Sequence, residues 1–497
     1  MSPVVLQRRS AILGELKRGP LDVLVVGGGI VGAGMARDAA LRGLRVGLVE
    51  QYDFAFGTSS RSSRLLHGGL RYLAQGRLGL VREASLEKRI LHAIAPHLAE
   101  PLAFVFPAYR AAPWAKWALW KLRIGVRLYD GLCGGENFGR SETLTAAQVR
   151  DRFPAIRTNG LAGAVRYFDG FTNDARLVID TLRSAANAGA ILLNYCRLDA
   201  AKRTAPLWRC SVTDCETGES HELRARCVVN AAGPWAERLP HSSLRLRLTK
   251  GVHLVIDRRR LPVPDALVMT HDDRILFAIP WGERLILGTT DTDFHGEVES
   301  CRTEPDDVRY ILDIVNATVP ETRLTERDVL STWAGLRPLI ADRHGRPSDI
   351  SRRHEIRQPK PGWWDVAGGK LTTYRLMAEQ TLDRLELYLG RSPTPCATAA
   401  RSLLDPRETE GISAIIPPPP TRRVVEHYCG REWVVHLDDV MVRRAGWHYY
   451  LDDPLRTAYE VADGMARSLQ WTPQMQQQEL ERYRAMADSE NMPSAAR

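Results

Sequence analysis

The sequence lacks the features that mark secreted, membrane-spanning and metal-binding proteins. Its eight cysteines are scattered over 497 residues and form no C-x-x-C pair, and the closest two, Cys210 and Cys215, are too isolated for a metal site. No apolar run approaches the roughly 20 residues of a membrane-spanning helix, and the basic N-terminus has no continuous apolar core like that of a signal peptide. The sequence therefore predicts a cytoplasmic protein with reduced thiols and no metal.

Charge and composition do not identify a partner by themselves. The net charge is +9, which suits nucleic acid, an anionic membrane surface or an anionic substrate equally well. The basic residues are not gathered in one arm and no nucleic-acid-binding motif is present, so we predict no nucleic-acid partner. A content of 44% hydrophobic and 26% charged residues is typical of a globular protein, and the length allows two or three domains.

The most informative stretch lies near the N-terminus, at residues 21–50. The apolar run DVLVV is followed by GGGIVGAG, an amphipathic segment, a second apolar run and the acid Glu50. This order of strand, glycine turn, helix, strand and acid is typical of a βαβ unit that binds a dinucleotide. Gly27 permits the tight turn, Gly29 lets backbone N–H groups approach a pyrophosphate, and Gly32 lets helix and strand pack closely. Glu50 is placed to accept hydrogen bonds from a ribose diol.

Four later segments indicate a particular class of dinucleotide enzyme. They are FAFGTSSRSSRLLHGGLRYL (54–73), TKGVHLVI (249–256), GLRPL (335–339) and GGKLTTYR (368–375). Together with the βαβ unit, and in this order, they resemble the FAD-dependent glycerol-3-phosphate dehydrogenase family. The resemblance implies non-covalent FAD, oxidation of sn-glycerol 3-phosphate to dihydroxyacetone phosphate, and a quinone as electron acceptor.

The resemblance and the pattern of elements predict an α/β (α+β) fold. We expect a Rossmann-like FAD-binding domain of the glutathione-reductase/D-amino-acid-oxidase type, an antiparallel-sheet substrate domain and a short helical C-terminal region. The predicted division is an N-terminal arm at 1–20, an FAD-dependent oxidoreductase region at 21–390, a linker at 391–423 and a reduced helical domain at 424–497. Within the second of these, we expect the FAD-binding core at about 21–98, 141–243 and 325–390, and the substrate domain at about 99–140 and 244–324.

Several segments supply residues for the cofactor. The hydroxyls of TSSRSS suit hydrogen bonds to pyrophosphate and ribityl oxygens, although an ordinary polar loop is the alternative. The strand-to-glycine turn RCVVNAAGPWA resembles the second nucleotide contact of the family. Glycines before a helix in GGKLTTYR leave N–H groups free to face the flavin. The predicted cofactor-binding residues are Gly27, Gly29, Gly32, Glu50, Thr58, Ser59, Ser60, Arg61, Ser62, Gly233, Gly368, Gly369, Lys370, Leu371 and Thr372.

Oxidation of a secondary alcohol by a flavin needs a proton acceptor and positive charge beside an anionic substrate. His67 is a candidate acceptor, because a histidine titrates near neutrality, and a scaffold role for it stays open. His67 lies four residues before Arg71, so a helical turn would put both on one face. The resemblance implies the catalytic residues His67, Arg71 and Arg337. It also implies the substrate-binding residues Arg71, Tyr72, Lys250, Thr289, Arg337, Arg352 and Lys370.

A basic and aromatic segment, PWAKWALWKLRIGVRLYDGL (113–132), predicts contact with a membrane surface. Its apolar residues recur at helical spacing with basic residues between them, as in helices that lie in the membrane interface. A helix packed in the core is the alternative. The apolar residues are Trp114, Trp117, Trp120, Ile124 and Leu128, and the basic ones are Lys116, Lys121, Arg123 and Arg127. We therefore expect a peripheral protein on the cytoplasmic face of the inner membrane.

Some alternatives stay open at this stage. No second GxGxxG begins a new βαβ unit, which argues against a separate NAD site. A flavin oxidase that uses dioxygen, a relative acting on another hydroxy acid or an amine, and a non-catalytic flavin-binding protein are the rival functions. The resemblance leaves a homodimer open. The run IIPPPP (415–420) predicts a stiff connector before a tail that looks shorter than the helical cap of the family.

Overall fold

The computed structural model describes residues 2–68, 77–110, 118–133, 137–271, 274–340 and 354–490. The strands of these ranges are β1 (Leu21–Val26), β2 (Val46–Val49), β3 (Leu65–Leu66), β4 (Glu100–Tyr109), β5 (Glu142–Leu144), β6 (Leu161–Phe171), β7 (Ile191–Leu193), β8 (Cys196–Thr204), β9 (Leu207–Asp214), β10 (Ser220–Asn230), β11 (Leu246–Asp257), β12 (Ala266–His271), β13 (Arg274–Trp281), β14 (Arg284–Gly288), β15 (Thr292–Asp293), β16 (Val329–Ile340), β17 (Glu355–Lys360) and β18 (Trp363–Ala367).

The α-helices of the same ranges cover the two sheets and form most of the C-terminal region. They are α1 (Pro3–Lys17), α2 (Ile30–Leu41), α3 (Leu78–Ile94), α4 (Leu119–Leu132), α5 (Ala146–Arg152), α6 (Asp174–Asn187), α7 (Pro305–Thr318), α8 (Tyr374–Tyr388), α9 (Pro406–Thr409), α10 (Arg422–Arg431), α11 (Trp447–Tyr450), α12 (Pro454–Leu469) and α13 (Pro473–Glu490).

The first sheet carries the predicted βαβ unit. Its main path runs β17-β18-β10-β1-β2-β7, and β1 pairs in parallel with both β2 and β10. Most of β1 is buried. Helices α2, α6 and α8 cover one face of the sheet, and α1 and the β8–β9 hairpin pack against the other face in a second apolar cluster. Burial on both faces explains why β1 reads as a continuous apolar run. The carboxyl ends of β1, β2 and β10 meet at one edge of the sheet.

The second sheet is largely antiparallel and stands across from that edge. Its main path runs β15-β11-β14-β13-β12-β4-β6-β3, with β16 paired to β11 and β5 paired to β6. Strand β16 follows β11 from Leu246 opposite Ile340 to Ile256 opposite Val329, so this pair forms a long ribbon at one end of the sheet. The hairpin between β13 and β14 turns at Gly282, whose φ of 59° is left-handed. The predicted fold class is confirmed.

The predicted division of the chain differs from the structure in three places. Residues 65–66, 142–171 and 329–340 were expected in the FAD-binding core, but β3, β5, β6 and β16 lie in the second sheet. The reason is strand pairing: β6 is bonded along β4, and β16 along β11. The chain therefore crosses between the two sheets more often than its motifs indicate, and each crossing passes the space between them.

The C-terminal region is helical, as expected, and packs on both sheets. The segment 415–418 joins it to the second sheet. The indole N–H of Trp281 on β13 donates to the Ile415 carbonyl at 3.0 Å, and that of Trp447 on α11 donates to the Pro418 carbonyl at 2.6 Å. A π-helical turn at Asp439–Arg444 precedes α11. None of the helices in the described ranges is both long enough and apolar enough to cross a bilayer.

Candidate active site

A large cavity lies between the carboxyl edge of the first sheet and the second sheet. It brings together fifteen of the residues that the sequence predicted, from five separate parts of the chain. They are Gly27, Gly29, Glu50, Thr58, Ser59, Arg61, Ser62, His67, Gly233, Arg337, Gly368, Gly369, Lys370, Leu371 and Thr372. Such a crevice at the strand ends of a doubly wound sheet is where these folds bind dinucleotides.

The glycine turn after β1 has no room for side chains. A Cβ at Gly32 would overlap the carbonyl oxygen of Gly27, and a Cβ at Gly27 would lie 2.5 Å from the carbonyl oxygen of Ala231. Gly27 also has a φ of 113°, a conformation that favours glycine. Gly32 itself does not line the cavity in the described part of the chain. It acts as predicted for its position, by letting α2 pack against the turn.

Glu50, the acid that follows β2, is hydrogen-bonded to this glycine turn. Glu50 accepts hydrogen bonds from the backbone N–H groups of Gly28 and Tyr52, at 2.6 and 2.9 Å. Burial raises its pKa to about 6, even though these two hydrogen bonds favour the carboxylate. The carboxyl group lines the cavity directly beside the N-terminus of α2, which is the position from which it can bind a ribose.

The hydroxyl-rich turn at 58–63 is held by residues on both sheets. The Ser59 hydroxyl accepts from the backbone N–H of Ile30 at 3.0 Å, so it caps the first turn of α2. The Thr58 hydroxyl donates to the carbonyl of Leu336 on β16 at 2.5 Å. The indole N–H of Trp333 donates to the Ser62 carbonyl at 3.2 Å. This turn therefore joins the dinucleotide helix to the second sheet.

Arg337 lies across the neighbouring strand rather than pointing into solvent. A Cβ at Gly251 would overlap its guanidinium group, so the glycine of TKGVHLVI creates the surface on which Arg337 rests. Its Nη1 donates to the Thr290 carbonyl at 3.2 Å and its Nη2 to the Thr289 hydroxyl at 3.0 Å. Asp291 accepts from Nη1 at 3.3 Å. These contacts fix the plane of the guanidinium in the cavity wall.

His67 and Lys370 approach each other through the backbone. Thr372 accepts from the His67 backbone N–H at 3.1 Å, and the Lys370 ammonium donates to the Gly68 carbonyl at 3.4 Å. The Gly68 N–H is bonded to the hydroxyl of Tyr129 at 3.1 Å, from behind the cavity. Gly369 has a φ of 75°, and this left-handed conformation turns the chain so that Lys370 faces inward. His67 and Lys370 thus share this part of the wall.

One functional candidate was missed by the sequence prediction. His253 lines the cavity, is buried, and its Nε2 lies 2.7 Å from the Ser63 hydroxyl. Its ring stacks on Trp333 with centroids 5.2 Å apart, and its Nδ1 has no hydrogen-bond partner among the described residues. Burial, with Arg337 and Arg64 nearby, lowers its pKa well below the usual range. The signal was present, because His253 lies within TKGVHLVI.

Besides Gly32, three predicted residues of the described part do not line the cavity. The Lys250 ammonium pairs with Asp307 at 2.7 Å and with Glu304 at 3.2 Å, outside the cavity wall. Strand alternation explains this, because neighbouring residues on β11 point to opposite faces. Thr289 acts through its bond to Arg337, and Ser60 is buried behind the turn. Arg71, Tyr72 and Arg352, together with Trp114, Trp117 and Lys116, lie outside the described residues.

Comparison with known proteins agrees with this geometry. The sequence model of a family described as FAD dependent oxidoreductase matches residues 22–413, which includes both sheets. The chain belongs to this family. It is also 38% identical over 404 residues to an aerobic glycerol-3-phosphate dehydrogenase of Staphylococcus aureus (strain MRSA252), covering 79% of this chain and 72% of the relative. The predicted resemblance to the glycerol-3-phosphate dehydrogenases is confirmed.

Solved structures extend the similarity to the whole chain. A glycerol-3-phosphate dehydrogenase from Bacillus halodurans, solved in complex with FAD, matches with a TM-score of 0.78 and 29% identity over 99% of both chains. The match includes the C-terminal region, so this region has a counterpart in the Bacillus protein. An L-alpha-glycerophosphate oxidase from Mycoplasma pneumoniae matches with a TM-score of 0.59 and 16% identity over 78% of this chain and 100% of that one, which shows the shared fold.

The cavity fits FAD, the cofactor of this family. The cradle at Gly27 and Gly29 would hold the pyrophosphate against the helix N-terminus, and the buried Glu50 carboxyl would hold the ribose. The segment from Gly368 to Thr372 would face the flavin end. No group of three or more His, Cys, Asp and Glu side chains in the described ranges is arranged to hold a metal ion.

The glycine turn gives a direct test of the cofactor site. We predict that Gly32→Ala abolishes FAD binding or weakens it at least about 100-fold, because the added methyl group must push α2 away from the turn. Gly14→Ala is the matched control, since no atom lies within 4 Å of a Cβ at that helical position. Flavin content after purification and titration of FAD into the apoprotein measure the effect. Normal affinity in Gly32→Ala would contradict the assigned packing role.

Proposed function

We propose that this protein oxidises sn-glycerol 3-phosphate to dihydroxyacetone phosphate, with FAD as cofactor and a quinone as electron acceptor. The observation that carries the proposal is the meeting of the dinucleotide cradle with Arg337, Lys370 and His67 in one cavity. The names of the Staphylococcus and Bacillus relatives support the same substrate. Two cations beside a cofactor site favour an anionic substrate over a neutral amine.

The cavity wall supplies what binding of a phosphorylated alcohol needs. The guanidinium of Arg337 is already fixed by Thr289, Thr290 and Asp291, so little side-chain freedom is lost when it pairs with an oxyanion. Lys370, in the segment that precedes α8, can supply a second positive charge. Arg71, Tyr72 and Arg352 stay proposed substrate contacts on the family resemblance alone.

Bound FAD would supply the acceptor for the hydride of the carbinol carbon. The chain must then accept the hydroxyl proton, and two histidines line the cavity. His253 is buried and held neutral, and its lowered pKa makes it a weak base but a good hydrogen-bond partner. We therefore assign proton acceptance to His67 and orientation of the substrate oxygen to His253.

Anaerobic mixing with substrate tests the proposed reaction. We expect sn-glycerol 3-phosphate, but not glycerol, to bleach the bound flavin, because the phosphate anchors the alcohol. Arg337→Met should lower kcat/KM by about 100-fold, as expected when a charge-assisted bidentate contact is removed. Arg209→Met is the matched control, since Arg209 pairs with Glu222 on an exposed strand away from the cavity. A flavin that stays oxidised with this substrate would overturn the proposal.

The two histidines are separated by their pH profiles. We predict that His67→Asn slows flavin reduction about 100-fold and removes the loss of rate on acidification, because protonation of His67 would cause that loss. His253→Asn should raise KM without moving the profile, since a histidine with a strongly lowered pKa stays neutral across the measured range. Stopped-flow traces between pH 5.5 and 8.5 provide the comparison. An unchanged rate of flavin reduction in His67→Asn would show that His67 is not the proton acceptor.

The quinone and membrane parts of the proposal are supported by helix α4. Its outer face exposes Trp120, Ile124 and Leu128 at 52, 58 and 45% of their full areas, at a spacing of four residues. Its inner face places Tyr129 against Gly68, next to His67. The neighbouring helix α3 exposes further leucines at 78 and 86. A helix that contacts lipid on one face and the cavity wall on the other suits electron transfer to a membrane-soluble acceptor, at the cytoplasmic surface of the inner membrane.

Vesicle binding tests this membrane contact. Replacing Trp120, Ile124 and Leu128 together by serine should weaken binding to anionic vesicles at low salt by about tenfold or more, because three apolar side chains no longer enter the interface. The control replaces Leu330, Leu387 and Leu455, which are also exposed, by serine. Equal binding of both variants would contradict docking through α4. Peroxide release in place of quinone reduction during turnover would favour the oxidase alternative.

A further inference from the structure

The C-terminal region contacts the back of a loop whose front lines the cofactor cavity. The loop comprises residues 51–57, directly after Glu50, and is called the cofactor loop below. Residues 432–444, called the anchor segment, contain the π-helical turn. We propose that the anchor segment positions the cofactor loop and thereby sets how tightly FAD is held. The proposal concerns the cofactor alone and does not depend on the identity of the substrate.

Asp53 is the main point of attachment. Its carboxylate is fully buried and accepts from the Arg444 Nη1 and Nη2 at 2.6 and 2.8 Å, a bidentate pair. The Arg443 Nε donates to the same carboxylate at 2.5 Å. Asn194, at the end of β7, adds an amide bond at 3.0 Å. Two consecutive arginines of the anchor segment therefore hold one acid of the cofactor loop.

An aromatic contact lies beside this ion cluster. The ring of Phe54 meets the edge of Trp433, with centroids 5.5 Å apart and an angle of 85°. Phe54 also fills the space beside Gly28, where a Cβ would lie 2.5 Å from its ring. The N–H of Ala55 donates to the Gly28 carbonyl at 3.0 Å. Phe54 therefore connects Trp433 to the glycine turn, so a displacement of Trp433 would displace that turn.

The front of the cofactor loop belongs to the cavity. Gln51, Phe56 and Gly57 line it, as does Glu50 at the start of the loop. In the described part of the chain, no residue of the anchor segment lines the cavity. The arginines therefore act on FAD only through the loop, and they are positioning residues.

The anchor segment is itself held to the first sheet's helices, so it can resist motion of the loop. Glu432 receives a bidentate pair from Arg176 of α6, at 2.7 and 3.0 Å, and its carbonyl accepts from Arg444. The Tyr195 hydroxyl donates to Asp439 at 2.6 Å. Buried, paired charges of this kind are directional, and removal of one partner leaves the other uncompensated.

Hydrogen–deuterium exchange on the unaltered protein tests the coupling. Because coupling of two sites is reciprocal, FAD binding must slow exchange in the anchor segment as well as in the cofactor loop. We expect at least about fivefold slower exchange at 432–444 in the FAD-loaded protein than in the apoprotein. Helix α7, which packs in a separate apolar cluster on the second sheet and lines no part of the cavity, should not change. Exchange at 432–444 that is indifferent to FAD would overturn the proposal.

Variants give a second measurement. Arg444→Met should weaken FAD binding about tenfold or more, measured by titration into apoprotein, while kcat and KM at saturating FAD stay within about twofold of the parent. Arg422→Met is the control, since Arg422 pairs with Glu426 on an exposed helix face of the same region. Trp433→Phe keeps all charges and serves if Arg444→Met does not fold. Unchanged FAD affinity in a folded Arg444→Met or in Trp433→Phe would also overturn the proposal.

Discussion

The cofactor half of this protein depends on backbone contacts that only glycine allows. Helix α2 begins so close to the end of β1 that a methyl group at Gly32 would occupy the place of the Gly27 carbonyl. The same turn abuts the end of β10 at Ala231. Because these three elements meet without side chains between them, the N-terminus of α2 and the Glu50 carboxyl face the same space.

The second sheet also has a glycine whose missing side chain makes room for a neighbouring group. Gly251 on β11 leaves a flat surface, and the guanidinium of Arg337 from β16 lies on it. Antiparallel pairing places these residues beside each other, with Thr249 opposite Arg337 and Gly251 opposite Gly335. The cation is thus held by a strand pair rather than by a loop. A rigid cation in a half-buried wall loses little freedom when it binds an anion, which suits a site for a phosphorylated substrate.

The C-terminal region has a closer relation to the site than its sequence indicates. Its helices contribute no cavity residue in the described ranges, yet its arginines bind the acid three positions after Glu50. Buried ion pairs of this kind add specificity of position, since the charges are satisfied in one arrangement. The same region is joined to the second sheet through the segment 415–418, whose Ile415 carbonyl accepts from Trp281 and whose Pro418 carbonyl accepts from Trp447. It therefore touches both walls of the cavity from outside.

The sequence by itself determined the local chemistry: the βαβ unit with Glu50, the family, the cofactor, and fifteen of the residues that line the cavity. These features are set within short segments, by glycine conformation, strand periodicity and motif spacing. Only the tertiary structure decided which sheet residues 142–171 and 329–340 join, because pairing partners such as β4 and β6 are far apart in sequence. It alone showed that His253 faces the cavity and Lys250 does not, since positions three apart on a strand point to opposite faces of the sheet. The contact of Arg444 with Asp53 joins residues whose sequence separation is 391, which no local pattern reveals.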